Sequence, residues 1–133
     1  MRLAAVIVAI VVGLAGCVTP SIPIPPPDPA KMTFMVTTDT SGVVVSAALA
    51  YPPTDAYKGG VAYLYNRSQG HGVIEAVNAD GSVGPTAAVA ATTGNQIVFS
   101  IENDDQTVST CVLLTEGAPS SYCPSKRKRK RKR

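Results

Sequence analysis

The chain has no tryptophan, one histidine, two phenylalanines and three cysteines, and only 16% of its 133 residues are charged. Long stretches of Leu, Glu, Lys and Ala, which sustain extended helices, are also missing, so a helical bundle or coiled coil is not expected. The lone histidine, His71, stands between Gly70 and Gly72. A Ser-His-Asp or metal-dependent hydrolase would need partners around it, and nothing nearby supplies a nucleophile elbow. His71 is read as an exposed loop residue, and no catalytic residue is assigned. No cofactor is expected either. What the chain does have is eleven prolines and eleven glycines, a balance that favours strands and turns.

Charge is present but segregated. The formal net charge is +3, yet eight of the twelve basic residues are Lys126, Arg127, Lys128, Arg129, Lys130, Arg131, Lys132 and Arg133. Between Lys31 and Pro124, three bases face eight acids, a net of −5. Eight adjacent like charges repel one another, so residues 125–133 are expected to form a disordered basic tail. Such a tail would seek dense anions: lipopolysaccharide or phospholipid phosphates, teichoic acid, or nucleic acid. The binding would be electrostatic and blind to sequence. The alternative is a solvated tail with no partner.

At the other end, Arg2 precedes the apolar run Leu3–Leu14, interrupted only by Gly13. This length suits the hydrophobic region of a signal peptide and is short for a membrane span, which needs about 20 residues. Leu14-Ala15-Gly16-Cys17 follows at once. The segment resembles the lipobox of bacterial lipoproteins, in which a small pair precedes a cysteine. That resemblance implies a signal peptide over 1–16, cleavage before Cys17, a diacylglyceryl thioether on its sulfur, and a membrane-anchored product. A thiolate is the nucleophile such a modification requires, and two or more acyl chains give stable anchoring where one does not. Val18 is not the acidic residue that retains some lipoproteins at the inner membrane, which tilts the expectation towards the outer one.

Val18–Ala30 holds six prolines in thirteen residues. Proline fixes φ and offers no N–H, so neither helix nor sheet is expected here. With Cys17 this stretch, 17–30, reads as a polyproline-II-like tether reaching roughly 40 Å at about 3.1 Å per residue, holding a domain clear of the lipid. A ligand for a proline-binding module is the alternative.

Residues 31–124 carry a period of two. Met32, Phe34 and Val36 alternate with threonines. Val43, Val45, Ala47, Leu49 and Tyr51 are assigned to one face; Val61, Tyr63 and Tyr65 to another. Ile97, Phe99 and Ile101 alternate with Gln96, Ser100 and Glu102, and Thr107–Thr115 is rich in β-branched residues. Val73–Val77 and Thr86–Ala91 are shorter candidates. Turn signals separate the runs, among them Asp39-Thr40-Ser41-Gly42, Asp80-Gly81 and Asn103-Asp104-Asp105. About seven short strands predict an all-β fold, a single antiparallel sandwich or barrel. Ala47, Ala48, Ala88 and Ala90 would let two sheets approach closely. The stretch Val61–Leu114 resembles bacterial immunoglobulin-like repeat modules through Val77–Gly84, the alanine-rich run after it, and Thr93–Asp104. The usual glycine of the last acidic turn is missing, Asp105-Gln106 standing in its place. The resemblance implies an immunoglobulin-like sandwich used as spacer or binding platform and implies no activity.

If Cys17 carries lipid, Cys111 and Cys123 are left as an even pair in an exported, disulfide-permissive setting. A bridge would pin Thr115–Tyr122 against the last strand; the alternative is two unpaired thiols. Asn78, Asp80 and Gly81 resemble the middle of a calcium loop, but the acids needed at its ends are replaced by Ala76 and Ala87, so no metal is expected. Asn66-Arg67-Ser68 has the form of a glycosylation site, read as coincidence. Tyr51, Tyr57, Tyr63 and Tyr65 could stack on a sugar or anchor a protein partner, or fill the core. Taken together, the sequence predicts a lipid-anchored, non-enzymatic binding or structural module of the bacterial cell envelope. The alternative is an accessory subunit of a larger complex, docking through a sheet edge or its tyrosines.

Overall fold

The computed structural model describes residues 22–116 and 121–125. The signal segment, Cys17 and the basic run 126–133 lie outside them. Seven strands run β1 Thr33–Thr38, β2 Val44–Ala50, β3 Val61–Asn66, β4 His71–Ala76, β5 Val89–Ala90, β6 Gln96–Asn103 and β7 Gln106–Leu113. Single 3-10 turns occupy Pro29–Lys31 and Asp55–Tyr57, and no α-helix occurs among the described residues. The strands form two antiparallel sheets, β1-β2-β5 and β4-β3-β6-β7. The fold is therefore all-β, as the alternation predicts, and its two sheets enclose one core as a sandwich does.

That core forms where inward positions of both sheets meet. Leu49, Tyr51 and Val89 of one side pack with Leu64, Phe99, Ile97, Ile101 and Val112 of the other. The Tyr51 and Phe99 rings lie 5.5 Å apart and tilted, a favourable aromatic arrangement. Met32, Phe34 and Val36 face inward as expected, and so does the Ile97, Phe99, Ile101 row. Of the four alanines expected between the sheets only Ala47 is buried; Ala62 and Ala91 are the other small buried residues.

Two strand faces differ from the sequence reading. In β2, Val44 is buried whereas Val43 and Val45 are exposed. The register explains this: Thr37 pairs with Ser46 but Thr38 with Val44, so Val45 is an extra residue. A β-bulge of this kind shifts the inward set by one position. In β3, Ala62, Leu64 and Asn66 point inward, while Val61, Tyr63 and Tyr65 share the outer face. Both faces of this strand are largely apolar, so alternation alone could not assign them.

Buried Asn66 closes one end of the sandwich. Its Nδ2 donates to the Ala90 carbonyl and to Asn95 Oδ1, both at 2.9 Å. Its Oδ1 accepts from the Ser68 and Gln69 N–H groups. With no exposure at all, this amide is a structural plug, and its nitrogen is not open to a sugar. At the other end, Gly81 (φ +85°) lets the 78–82 turn press on the backbone of Thr54, where a Cβ would collide; the Thr54 N–H donates to the Gly81 carbonyl.

Candidate functional site

Strand β7 is the edge of the four-stranded sheet, and an unpaired edge exposes a row of N–H and C=O groups. Here both ends of the described chain settle on it. Along its first half lies the proline-rich segment 22–28. This segment was expected to stand clear as a spacer; from Ile22 onward it is instead seated on the domain. Pro27 and Pro29 are buried, and Ile24 packs against the core.

The chemistry of that docking follows from proline itself. With prolines at 23, 25, 26 and 27 the segment has many carbonyls and few N–H groups, so a sheet ladder is impossible. Its partners are side chains instead. Gln106 Nε2 donates to the Ile22 carbonyl at 3.1 Å, and Gln106 Oε1 accepts from the Ile24 N–H at 3.0 Å. The Tyr57 hydroxyl donates to the Pro25 carbonyl at 2.8 Å, and the Thr110 hydroxyl to the Pro27 carbonyl at 2.6 Å. The Tyr51 hydroxyl accepts from the Asp28 N–H at 2.9 Å. Burial raises the Tyr57 phenol well above its ordinary value of 10.0, with the neighbouring Tyr51 adding to the effect.

The second half of β7 is covered by 121–123. The Leu113 N–H donates to the Ser121 carbonyl and the Cys123 N–H to the Cys111 carbonyl, each at 2.9 Å. Cys111 and Cys123 form a disulfide with Cα atoms 5.3 Å apart, the pairing that cysteine arithmetic singled out. Between the two covering segments lies a shallow cavity of about 410 Å³ lined by Pro26, Pro27, Asp28, Thr110, Tyr122 and Cys123.

Elsewhere the predicted candidates part company. Tyr51 and Tyr57 are buried as docking residues, while Tyr63 and Tyr65 are on the outer sheet face. The Tyr63 hydroxyl donates to Glu102 Oε2 at 2.8 Å, which raises the phenol's pKa. Tyr65 and Ile74, 45% and 67% exposed, flank a groove on this face with Gly72 and Val73. His71 opens β4, exposed and backbone-paired with Asn66. Asp80 Oδ1 accepts from the N–H and hydroxyl of Ser82, and these bonds lower its pKa; its turn is held without a cation. Among the described residues, no group of three or more His, Cys, Asp or Glu side chains is placed to hold a metal, and no helix is long and apolar enough to cross a membrane. Cys17 and Lys126–Arg133 lie outside the described residues.

Sequence reasoning missed Gln106, Thr110 and the docking role of Tyr51 and Tyr57. The available signal was polarity on the inward row of β7: Gln106 and Thr110 share it with Val108 and Val112. Comparison with known proteins adds nothing to this geometry: no family model, no curated protein and no solved structure matches the chain.

Proposed function

We propose that the chain is a bacterial envelope lipoprotein, lipidated on Cys17, that presents a non-catalytic immunoglobulin-like sandwich at a membrane surface, the outer membrane before the inner. The observation that carries this reading is Leu14-Ala15-Gly16-Cys17 set directly behind an apolar run of signal-peptide length. The strand order supports the immunoglobulin-like part. Hairpins β1-β2, β3-β4 and β6-β7 stay within a sheet, and the chain changes sheet after β2, β4 and β5. This is the constant-type immunoglobulin arrangement with the fourth strand moved to the other sheet. The disulfide fits an exported protein. The module binds or spaces, and the basic residues 126–133 supply contact with anionic lipid or polymer.

The test is the intact mass of the mature protein from a membrane fraction, beside Cys17→Ser. Residues 17–133 plus two or three acyl chains is the expected result. An unlipidated chain, cut elsewhere or uncut, overturns it. A second reading, an accessory subunit of an envelope complex, draws on the exposed Tyr65 and Ile74 beside the free edge of β4. Crosslinking that retrieves a stoichiometric partner from wild type but not from Tyr65→Ser/Ile74→Ser would favour it.

A further inference from the structure

The two covering segments fix the directions in which the chain leaves the domain. Segment 22–28 runs parallel to β7: Ile22 and Ile24 are held at Gln106, and Pro27 further along at Thr110. Going backward from Ile22, the chain therefore departs past the β6-β7 turn. Segment 121–123 runs antiparallel to β7, with Ser121 at Leu113 and Cys123 at Cys111. Going forward from Cys123, the chain heads towards that same turn. Both exits point to one end of the sandwich.

We infer that residues 126–133 bind the headgroup phosphates of the same bilayer that holds the lipid on Cys17. This rests on the lipoprotein reading and adds to it the tail's partner and geometry. Five residue steps separate Cys17 from Ile22, and no conformation of them spans more than about 18 Å. The end of the domain carrying Ile22 is therefore held close to the bilayer, not some 40 Å away. Cys123 lies five residues along β7 from Gln106, about 17 Å from that end. Ten residue steps from Cys123 to Arg133 extend to about 35 Å, enough to bring the farther basic residues to the membrane plane.

Charge supplies the need. The end that faces the bilayer carries Asp55, Asp104 and the adjacent Asp105, and the described residues hold nine acids against three bases, a net of −6. An anionic surface within a Debye length of about 10 Å would repel them. Each Lys or Arg placed near such a surface strengthens binding by about fivefold, so eight of them reverse the balance. Tethering also makes the contact intramolecular, at an effective concentration on the order of millimolar.

The absence of tryptophan gives a clean probe. Acylated full-length protein carrying Ser125→Trp is reconstituted on vesicles with a dansyl headgroup, either pure phosphatidylcholine or with one third phosphatidylglycerol. Flotation reads anchoring and energy transfer reads the tail. The expected result is flotation in every case. Transfer is at least about threefold higher on the anionic vesicles, and falls to the zwitterionic level when 126–133 is replaced by Gly and Ser or salt is raised to about 1 M. Equal transfer on both vesicles overturns the inference. So does loss of transfer to polyphosphate added at a tenth of the lipid phosphate, which assigns the tail to a soluble polymer. Low transfer that rises in Asp55→Asn/Asp104→Asn/Asp105→Asn also overturns it, placing the tail on the domain's own acidic end. Protein that fails to float at all defeats the lipoprotein reading itself, and the inference with it.

Discussion

At the scale of single residues, the β6-β7 turn departs most from what its sequence would choose. Asp104 and Asp105 both have positive φ, 45° and 58°, in a two-residue hairpin loop closed by Asn103 opposite Gln106. Such a loop favours glycine at its second position, and a side chain there crowds the backbone. Asp105→Gly is therefore expected to raise stability by about 0.5–1 kcal/mol, because relief of the left-handed strain exceeds the added chain entropy. Urea denaturation reads the result, and a lower midpoint would refute it. The missing glycine was visible in the sequence; the paired left-handed conformations it costs were not. Asn66 teaches the converse. As Asn-Arg-Ser it looks like a modification site, but its meaning depends on Ala90 and Asn95, which reach it only after folding. A buried amide and an exposed one have the same local sequence.

At the scale of elements, period-two alternation located most of the strands because one side of each faces a core. It failed where that premise failed. Val45 is looped out of register, so the inward parity of β2 changes midway. Tyr63 and Tyr65 are larger than Ala62, yet lie outside because Leu64 and Asn66 share Ala62's parity. The docking of 22–28 was illegible for a different reason: its partners Gln106 and Thr110 lie more than 80 residues away. Those contacts make a prediction. Thr110→Val keeps the shape of the side chain and removes the donor to the Pro25–Asp28 stretch, leaving a buried carbonyl unpaired, at a cost of about 1–3 kcal/mol. Hydrogen exchange should show faster exchange at the Ile24 and Asp28 amides, while the Phe99 and Leu64 amides of the central strands keep their protection relative to global stability. Unchanged Ile24 and Asp28 protection would mean the segment is held by packing alone.

At the scale of the whole molecule, Tyr57 links the turn at 55–57, the proline segment and the core, so its ionisation is a global matter. Its phenol has a raised pKa in the folded state, chiefly because it is buried. The folded protein thus holds that proton more tightly than the unfolded chain. The corresponding stability is fully present below the ordinary value of 10.0 and is lost as pH rises above it. Unfolding free energy measured from pH 8 to 11.5 should fall steeply above about pH 10. Tyr57→Phe should flatten that fall while lowering stability near neutrality by about 1 kcal/mol, the worth of the bond to Pro25. An identical alkaline slope in the two proteins would exclude Tyr57 as its source.

The way both chain ends lie on β7 also decides how the protein carries mechanical load. A pull on its first residues does not stretch the sandwich end to end. It peels 22–28 away one contact at a time, Gln106 yielding first, then Tyr57, Thr110 and Tyr51. A pull on its last residues meets a covalent stop at Cys123. Force entering at either end is thus spent on the edge strand and its coverings, and the enclosed core of Leu49, Phe99 and Ile101 stays out of the load path. The proline segment is a tearable reserve of length: the chain can lengthen between anchor and domain, let go of its contacts and take them up again, without any strand leaving its sheet.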